Sequence, residues 1–413
     1  MDKGIMKSTL AEYFVSLDTK LMLRQIESLH LDKYTKKLDS IKFTKLLLFA
    51  QVNQIPSLTA LSRKLNETKE LQSEIGIQSI STSQLSRKLQ QLEQSFLDSV
   101  LQRCIQQLVR TIGLKNTTRR LGRLNLVDSS TITMCLSQYP WAKFVRNQSG
   151  VKLHLRLAFH DGIVHPDKVV LTPARPSDRT QMDNLVVQDR DALYIFDRGY
   201  VDYQKFDECC DSGTRFVTRL RWNTSIAETY EKRPVPQGTL ILRDDVVRIG
   251  SKFRNMTHPT RWIETLDSEG NLMIILTNDL SLSATEVSDL YRKRWQIELF
   301  FKWMKQHLKV KNLYGKSENA VFNQLRTALI AFCLLLLLQL RVKYNGRLLD
   351  VYRCIQNNWA QPFEAFLSCL TRPPSRSSPG RRKLKMEEIF AQTLQQYVDG
   401  DIEHLEDLVY DPI

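Results

Sequence analysis

The stretch 291–305 most restricts how this chain can fold. It contains no Gly or Pro, and residues 283–286 before it have the Ser/Thr-x-x-Glu pattern that begins helices, so one helix starting near Ser283 is predicted. Most of its surface is apolar, including Trp295, Phe300 and Trp303. A helix that is apolar on most sides is a buried helix, and it keeps charged groups only where they have partners or ligands.

Four polar residues of this stretch fall within about 60° of one another on an ideal helix: Tyr291, Arg294, Glu298 and Lys305. One interpretation is an ion-paired face, in which Arg294 and Glu298 meet at i,i+4. The spacing Tyr-x2-Arg-x3-Glu-x6-Lys is nevertheless specific. From the composition of this chain, a chance match is expected in only about a few per thousand chains of this length. The spacing therefore favours a functional motif, in which Glu298 would act together with further acids.

Two aspartates follow predicted strands. Residues 124–127 predict a short strand that ends at Asp128, and residues 192–196 predict a strand buried on both faces that ends at Asp197. Open α/β sheets place their ligands at such strand ends. Considered alone, Asp197 is better interpreted as the cap of a helix beginning near Tyr203.

Together these places resemble bacterial DDE transposases of the insertion-sequence-four family: the strand ending in Asp128, the Asp197-Arg-Gly-Tyr200 segment and the Tyr-Arg-Glu-Lys motif. The resemblance covers roughly residues 124–340 and includes a β-rich insertion before the third acid. It implies an α/β fold, a ribonuclease H-like mixed sheet in which the ends of the first and fourth strands are neighbours. It also implies that Asp128, Asp197 and Glu298 meet as the catalytic, metal-binding residues.

The implied chemistry follows from crowding three carboxylates. They repel one another, and divalent cations remove that repulsion; oxygen-only ligands suit two Mg²⁺ or Mn²⁺ ions. Two such ions about 4 Å apart activate a water or a 3′-hydroxyl for in-line displacement at phosphorus. The resemblance implies cut-and-paste transposition at inverted-repeat ends, with a flanking hairpin, joining to target DNA and a homodimer on paired ends.

DNA contacts are expected from the same motifs: Tyr291, Arg294, Lys305 and Arg198. In relatives that make hairpins, an aromatic residue of the insertion stacks on a flipped base. Trp222 and Trp262 are the candidates for that role, although a tryptophan in such a region is more often a core residue.

Composition bounds the remaining possibilities. The chain has 413 residues with a net charge of +14 and a pI near 9.4, which favours a polyanionic partner such as double-stranded DNA. A merely basic cytosolic protein explains the charge equally well. The expected segments are a helical DNA-binding and end-recognition domain (1–122), the first part of the catalytic core (123–213), a β-rich insertion (214–270), the second part of the core with the Tyr-Arg-Glu-Lys helix (271–345), and a C-terminal helical and basic linker with an acidic tail (346–413).

Residues 56–64 and 80–88 each resemble a piece of a helix-turn-helix motif. In each, a Ser/Thr cap precedes a short helix carrying Ser-Arg-Lys, so Arg87 and Lys88 are candidate DNA contacts. Basic residues outnumber acidic ones by 19 to 11 over residues 1–120, which supports this assignment. For either segment alone, a small helix in an ordinary bundle is at least as good an interpretation.

The seven cysteines form no C-x-x-C pair, which predicts buried thiols in a reducing compartment. The N-terminus lacks a signal pattern, and the apolar run 328–338 is shorter than the roughly 20 residues that span a bilayer, so a soluble, cytoplasmic, nucleoid-associated protein is expected. Two alternatives stay open: a DNA-binding regulator of a mobile element that has lost catalysis, and a metal-independent hydrolase insensitive to EDTA.

Overall fold

The computed structural model describes residues 7–112, 122–160, 163–251, 253–267 and 270–372. These residues form two compact units. The first comprises residues up to Val100, Lys302–Tyr314 and residues from Gln324 onward; the second comprises Leu101–Phe301 and Gly315–Asn323. Most of the predicted basic linker and all of the acidic tail lie outside the described residues.

The first unit is helical, as predicted for the N-terminal third. Ser57 and Ser81 accept hydrogen bonds from the backbone at the starts of α4 and α6, so the predicted caps are confirmed. The helices of this unit, with those that continue into the second unit, are α1 Thr9–Phe14, α2 Thr19–Ser28, α3 Ser40–Val52, α4 Leu58–Glu67, α5 Lys69–Ile75, α6 Thr82–Gln91, α7 Gln94–Ile112, α12 Glu318–Arg341, α13 Leu348–Asn358 and α14 Phe363–Leu370.

Helix α12 contains the predicted apolar run. Within the described part of the chain it is the one helix long and apolar enough to cross a membrane, and that window is entirely buried inside the structure. The predicted core helix is therefore confirmed. A helix apolar all round becomes stable in this way when other elements cover every side of it.

The second unit is built on a ten-stranded mixed sheet. Its order is β2-β3-β1-β5-β6-β10-β9-β8-β7, with β4 also paired to β3. Strands β5 and β6 run parallel to β1, whereas the other neighbours are antiparallel. The strands are β1 Arg123–Cys135, β2 Lys143–Val145, β3 Gln148–His160, β4 Ile163–Pro173, β5 Ala192–Phe196, β6 Arg215–Leu220, β7 Ile226–Lys232, β8 Ile241–Ile249, β9 Thr260–Leu266 and β10 Leu272–Thr277.

The β-rich stretch after residue 214 continues this sheet. Strand β6 pairs in parallel with β5, and β10 then joins β6 to β9. The backbone groups on the open edge of β6 are thereby satisfied by β10 instead of being left unpaired. Strand β7 was not predicted, because its side chains are almost all exposed and give no apolar alternation.

Short helices contact the strands of this sheet: α8 Met182–Leu185, α9 Tyr203–Ser212 and α10 Ala284–Arg292. Helix α11, Trp295–His307, follows α10 in the chain. Residues 178–185 form a 3₁₀ turn, Asp178–Gln181, followed directly by α8. Phe196, Phe206 and Phe216 pack within one buried cluster, with the rings of Phe206 and Phe216 stacked 4.5 Å apart. This cluster holds Phe196, the last residue of β5 before Asp197, in a fixed position.

All seven cysteines lie in the described part of the chain, and none is in a disulfide bond. That part of the prediction is confirmed. The expectation of burial is wrong for Cys135 and Cys369, which are exposed.

Candidate active site

Asp128 and Asp197 lie side by side at one edge of the parallel strands. The pairing of β1 with β5 ends at Val127 opposite Phe196, so the two aspartates are the next residues of neighbouring strands. The prediction that Asp128 ends its strand is wrong. Strand β1 continues to Cys135 because β3 still offers it backbone partners, and Asp128 is the point where β1 loses β5 as a neighbour.

The helix that carries Glu298 is interrupted. Ser283 and Glu286 form a complete capping box at the start of α10, as predicted, but α10 ends at Arg292 and α11 begins at Trp295. Between them the amides of Arg294 and Gln296 bond three residues back, a tighter turn than the α-helical spacing. The predicted single helix is therefore two helices joined by a turn that contains Arg294.

Arg294 bridges two of the predicted catalytic acids. One guanidinium nitrogen lies 3.2 Å from Asp128 Oδ2, and another lies 2.6 Å from Glu298 Oε1. Its side chain is largely buried, yet the adjacent acids, Glu298 foremost, hold the pKa of Arg294 above its usual value against the effect of burial. The predicted i,i+4 pair thus exists, and its guanidinium also reaches Asp128 on β1.

The three carboxylates act on one another electrostatically. Burial raises the pKa of Asp128 to about 7; Arg294 opposes this, and the charges of Asp197 and Glu298 add to it. Burial likewise raises the pKa of Glu298, with Arg294 opposing and Asp197 adding. Asp128, Asp197 and Glu298 are therefore brought together from β1, the end of β5 and α11.

The donor chemistry of this cluster fits a hard divalent cation, since all three side chains offer only oxygen atoms. One of them, Asp128, has a pKa raised to about 7, so its negative charge is costly without a cation beside it. Among the described residues, however, no group of three or more His, Cys, Asp or Glu side chains has the geometry to hold a metal ion. The positive charge between Asp128 and Glu298 is supplied by Arg294 instead.

Sequence reasoning missed a second polar group beside Asp128. The amide of Ser129 donates to Asp128 Oδ1 at 2.7 Å, and its hydroxyl donates to Asp178 Oδ1 at 2.9 Å. Lys152 also donates to Asp178, at 2.9 Å. Asp178 thus orients Ser129, and Ser129 in turn orients Asp128. The signal available in the sequence was the Pro-Ser-Asp segment at 176–178, which has the pattern of a helix cap.

His154 of β3 is buried. Its Nε2 lies 3.0 Å from Thr172 Oγ1, so this ring nitrogen has a hydrogen-bond partner within the sheet. Its Nδ1 lies 3.6 Å from Asp178, too far for a good hydrogen bond. The face of β3 that carries His154 also carries Lys152 and Arg156, which bond to Asp178 and to the Leu185 carbonyl, so the segment 178–185 lies over this face.

The burial of His154 predicts a pH-dependent stability. Burial lowers the pKa of His154 to about 4, with Asp178 opposing and Lys152 adding, against an ordinary value of 6.5. The unfolded chain therefore binds this proton more readily, so the contribution of His154 is complete above pH 6.5 and is lost as the pH falls toward 4. By pH 5 the loss is about 2 kcal/mol.

Urea unfolding at pH 7.5 and pH 5 measures this effect. The His154→Gln variant is expected to lose less stability between the two values than the wild type, while the exposed His30→Gln variant keeps the wild-type difference. Other titrating groups are common to all three proteins, so an identical pH dependence in His154→Gln would contradict the prediction.

The remaining predicted DNA contacts in the second unit differ in accessibility. Tyr291 is buried, and its ring lies 5.8 Å from the Arg294 guanidinium, so it supports that side chain. Arg198 is exposed directly after Asp197. Trp222 is 86% exposed just beyond the end of β6, which runs parallel to β5 and so ends at the edge where Asp197 lies. Trp262 is 3% exposed and belongs to the hydrophobic core, so stacking on a base would require it to leave that core.

In the first unit, Arg87 is exposed on α6. Lys88 forms an ion pair with Asp32 and is thereby held inside the unit. Lys305 lies near the end of α11, half-buried.

A family model described as the transposase DDE domain matches residues 119–334, and a domain of unknown function matches residues 7–78. The chain is 33% identical over 228 residues to a transposase of Sinorhizobium fredii, covering 54% of this chain and 63% of that protein. It is 32% identical over 216 residues to a transposase for insertion sequence element IS5377 of Geobacillus stearothermophilus, covering 51% and 55%.

The chain therefore spans about 55% to 63% of the length of these relatives. A cryo-EM structure of a piggyBac transposase synaptic complex with hairpin DNA aligns over 94% of this chain and 90% of that chain, at 11% identity and a TM-score of 0.42.

Proposed function

Because the chain belongs to the transposase DDE domain family of insertion sequences, we propose that it catalyses cut-and-paste DNA transposition through Asp128, Asp197 and Glu298. The observation that carries the proposal is the carboxylate cluster itself. Burial, with the charge of Asp197 adding to it, raises the pKa of Asp128 and of Glu298, and these two acids, far apart in sequence, share the largely buried Arg294. Nothing in the folding of a sheet requires such a costly arrangement, so a function is its best explanation.

The strand order supports a ribonuclease H-like arrangement of the catalytic core. Three antiparallel strands in the order β4-β3-β1 are followed by β5 and β6 parallel to β1. In this arrangement the first and fourth strands of the core are β1 and β5, whose adjacent ends carry Asp128 and Asp197.

The three carboxylates would hold two Mg²⁺ or Mn²⁺ ions. Bound there, such ions supply activation of a water or 3′-hydroxyl and stabilisation of the leaving oxygen at phosphorus. Ser129 holds Asp128 in a fixed orientation, and Asp178 holds Ser129. Arg294 would exchange its contacts with Asp128 and Glu298 for a contact with a DNA phosphate, since carboxylates and phosphates are both anions that a guanidinium binds well.

The DNA path proposed for this core runs along the edge of the sheet that carries the acids. Arg198 and Trp222 are exposed at that edge, where a cation and an aromatic ring suit a phosphate and an unstacked base. A homodimer on paired inverted-repeat ends and a cytoplasmic, nucleoid-associated location complete the proposal. The segments 1–122, 123–213, 214–270, 271–345 and 346–413 keep the roles expected from the sequence.

Replacement of Lys305 tests the end-binding part of the proposal. The Lys305→Ala variant is expected to bind end DNA more weakly, with a salt dependence lower by about one phosphate contact. Lys20→Ala, which removes an exposed lysine of α2, should leave the slope unchanged. Band-shift titrations at several salt concentrations measure both. An unchanged slope for Lys305→Ala would assign Lys305 a structural role.

A supercoiled-plasmid assay tests the proposed function as a whole. The plasmid carries the inverted repeats that flank the gene, and cleavage is followed with Mg²⁺, with Mn²⁺ and with EDTA. Nicking and double-strand breaks that need a divalent ion support the transposase. Binding without nicking would support the catalytically inactive regulator, and cleavage that persists in EDTA would support the metal-independent hydrolase.

A further inference from the structure

Helices α4 and α6 carry the same short sequence. Each contains Leu-Ser-Arg-Lys-Leu, followed by Asn-Glu in α4 and by Gln-Gln in α6. Both leucines of each copy are buried, so the two helices present equivalent positions to solvent. Arg63 of α4 and Arg87 of α6 are both exposed. The helices therefore differ mainly in the residues that surround these arginines.

The lysines of the two copies are engaged within the first unit. Lys88 is paired with Asp32, and the Lys64 ammonium lies 5.8 Å from the centre of the Trp359 ring. Asp32 is itself fixed, because it accepts a hydrogen bond from the Ser40 amide at 2.7 Å. Lys64 and Lys88 therefore stabilise the first unit, whereas the neighbouring Arg63 and Arg87 are exposed and can contact a partner molecule.

The outward face of α6 has the composition of a base-reading surface. Its exposed residues are Ser83, Arg87, Gln90 and Gln91, which lie within about 100° of one another on the helix wheel. Arginine pairs with the edge of guanine in the major groove, and glutamine pairs with that of adenine. No acid interrupts this face, whereas the corresponding face of α4 carries Glu67, which would repel phosphates.

A basic loop lies directly beside α6. Residues 33–37, Lys-Tyr-Thr-Lys-Lys, are all exposed and contain no acid. The loop is joined to α6 by the pair between Asp32 and Lys88, and to the turn before α6 by a hydrogen bond of 2.9 Å from Lys37 Nζ to Ser79 Oγ. Three lysines are thus presented next to the polar face of α6, as phosphate contacts flank a recognition helix.

From this juxtaposition we infer that α6 and the loop 33–37 form a sequence-reading surface for double-stranded DNA. Helix α6 enters the major groove, Arg87 contacts a guanine, and the lysines of the loop contact the adjacent phosphates. The choice of DNA as the partner rests on the proposed function, and the choice of surface rests on the two helices and the loop. Helix α4 supports α6 and does not read bases.

Selection from random DNA tests this inference. The full-length chain is incubated in EDTA with 30-base-pair duplexes whose central positions are randomised, and bound sequences are recovered and counted. The wild type is expected to enrich one motif. Arg87→Ala should lose the preference for a G·C pair at one or two adjacent positions, and bind the selected motif about 10- to 100-fold more weakly.

Arg63→Ala is the matched control, because it removes the same residue from the same short sequence in α4. It should enrich the wild-type motif. The double variant Lys33→Ala/Lys36→Ala should weaken binding to all sequences alike and reduce the salt slope by about two. Thermal melting of each variant establishes that it is folded, so that a loss of sequence preference cannot be caused by unfolding.

The inference is overturned if Arg87→Ala enriches the wild-type motif at wild-type strength, if Arg63→Ala loses it instead, or if the wild type enriches no motif. Because the selection is done without divalent ions, it does not depend on catalysis. A selected motif in a protein that never cuts DNA would count against the proposed function and leave the reading surface in place.

Discussion

Glu298→Gln is expected to abolish DNA strand cleavage, by about a thousandfold or more, while end binding stays within a few-fold of the wild type. A loss of this size corresponds to roughly 4 kcal/mol of transition-state stabilisation, the scale that metal-ion catalysis supplies. The amide keeps the shape of the carboxylate and still accepts a hydrogen bond from Arg294. It lacks the negative charge needed to hold a divalent cation beside Asp128 and Asp197.

The control for this variant is Asp289→Asn, which makes the same chemical change in α10. The carboxylate of Asp289 is exposed and forms only a weak pair with Arg292 at 3.8 Å, so its loss should leave cleavage unchanged. Plasmid nicking and band shifts on the same preparations separate catalysis from binding. Cleavage that survives in Glu298→Gln would exclude the assignment of this cluster as the metal site.

Removal of Arg294 is expected to make the stability of the protein depend on divalent ions. Arg294→Ala leaves Asp128 and Glu298 buried without their shared cation, which costs about 3 kcal/mol. In EDTA the melting temperature of the variant should fall by several degrees. Mg²⁺ or Mn²⁺ should restore much of the loss, whereas the wild type, in which Arg294 already supplies the charge, should respond less.

Two further variants show whether the effect belongs to this pair of contacts. Arg294→Lys keeps the charge but not the two-pronged geometry, and should fall between the wild type and Arg294→Ala. Arg292→Ala, two residues earlier, removes an exposed arginine and should change neither the melting temperature nor its response to metal. An equal metal response in wild type and Arg294→Ala would mean that these carboxylates do not bind the ion.

Local patterns predicted the elements that surround the site. The capping box of Ser283 and Glu286 marked the start of α10, because its bonds join residues three positions apart. The five apolar residues of β5 marked both of its ends, because a strand buried on both faces leaves no polar position. The buried helix α12 was recognised from its composition alone.

Long-range pairing explains where these predictions were incomplete. Strand β1 extends past Asp128 because β3 continues beside it, and the residue of β3 opposite Asp128 is Leu155, 27 residues further along the chain (155 − 128). The turn between α10 and α11 directs Arg294 toward Asp128, which lies 166 residues earlier. Neither β3, the partner of β1, nor Asp128, the partner of Arg294, lies within the short stretch of sequence from which a helix or a strand is predicted.

The amino-acid sequence alone indicated the family, and it proposed the three acids and the motif around Glu298, since these inferences depend on residue types and on spacings within a few turns. The folded chain decided which of the basic and aromatic candidates are accessible: Arg87 and Trp222 are exposed, whereas Lys88 is paired with Asp32 and Trp262 lies in the core. It also decided that Arg294 serves Asp128 as well as Glu298. The physical reason is that burial and ion pairing are set by neighbours in space, and those neighbours come from distant parts of the chain.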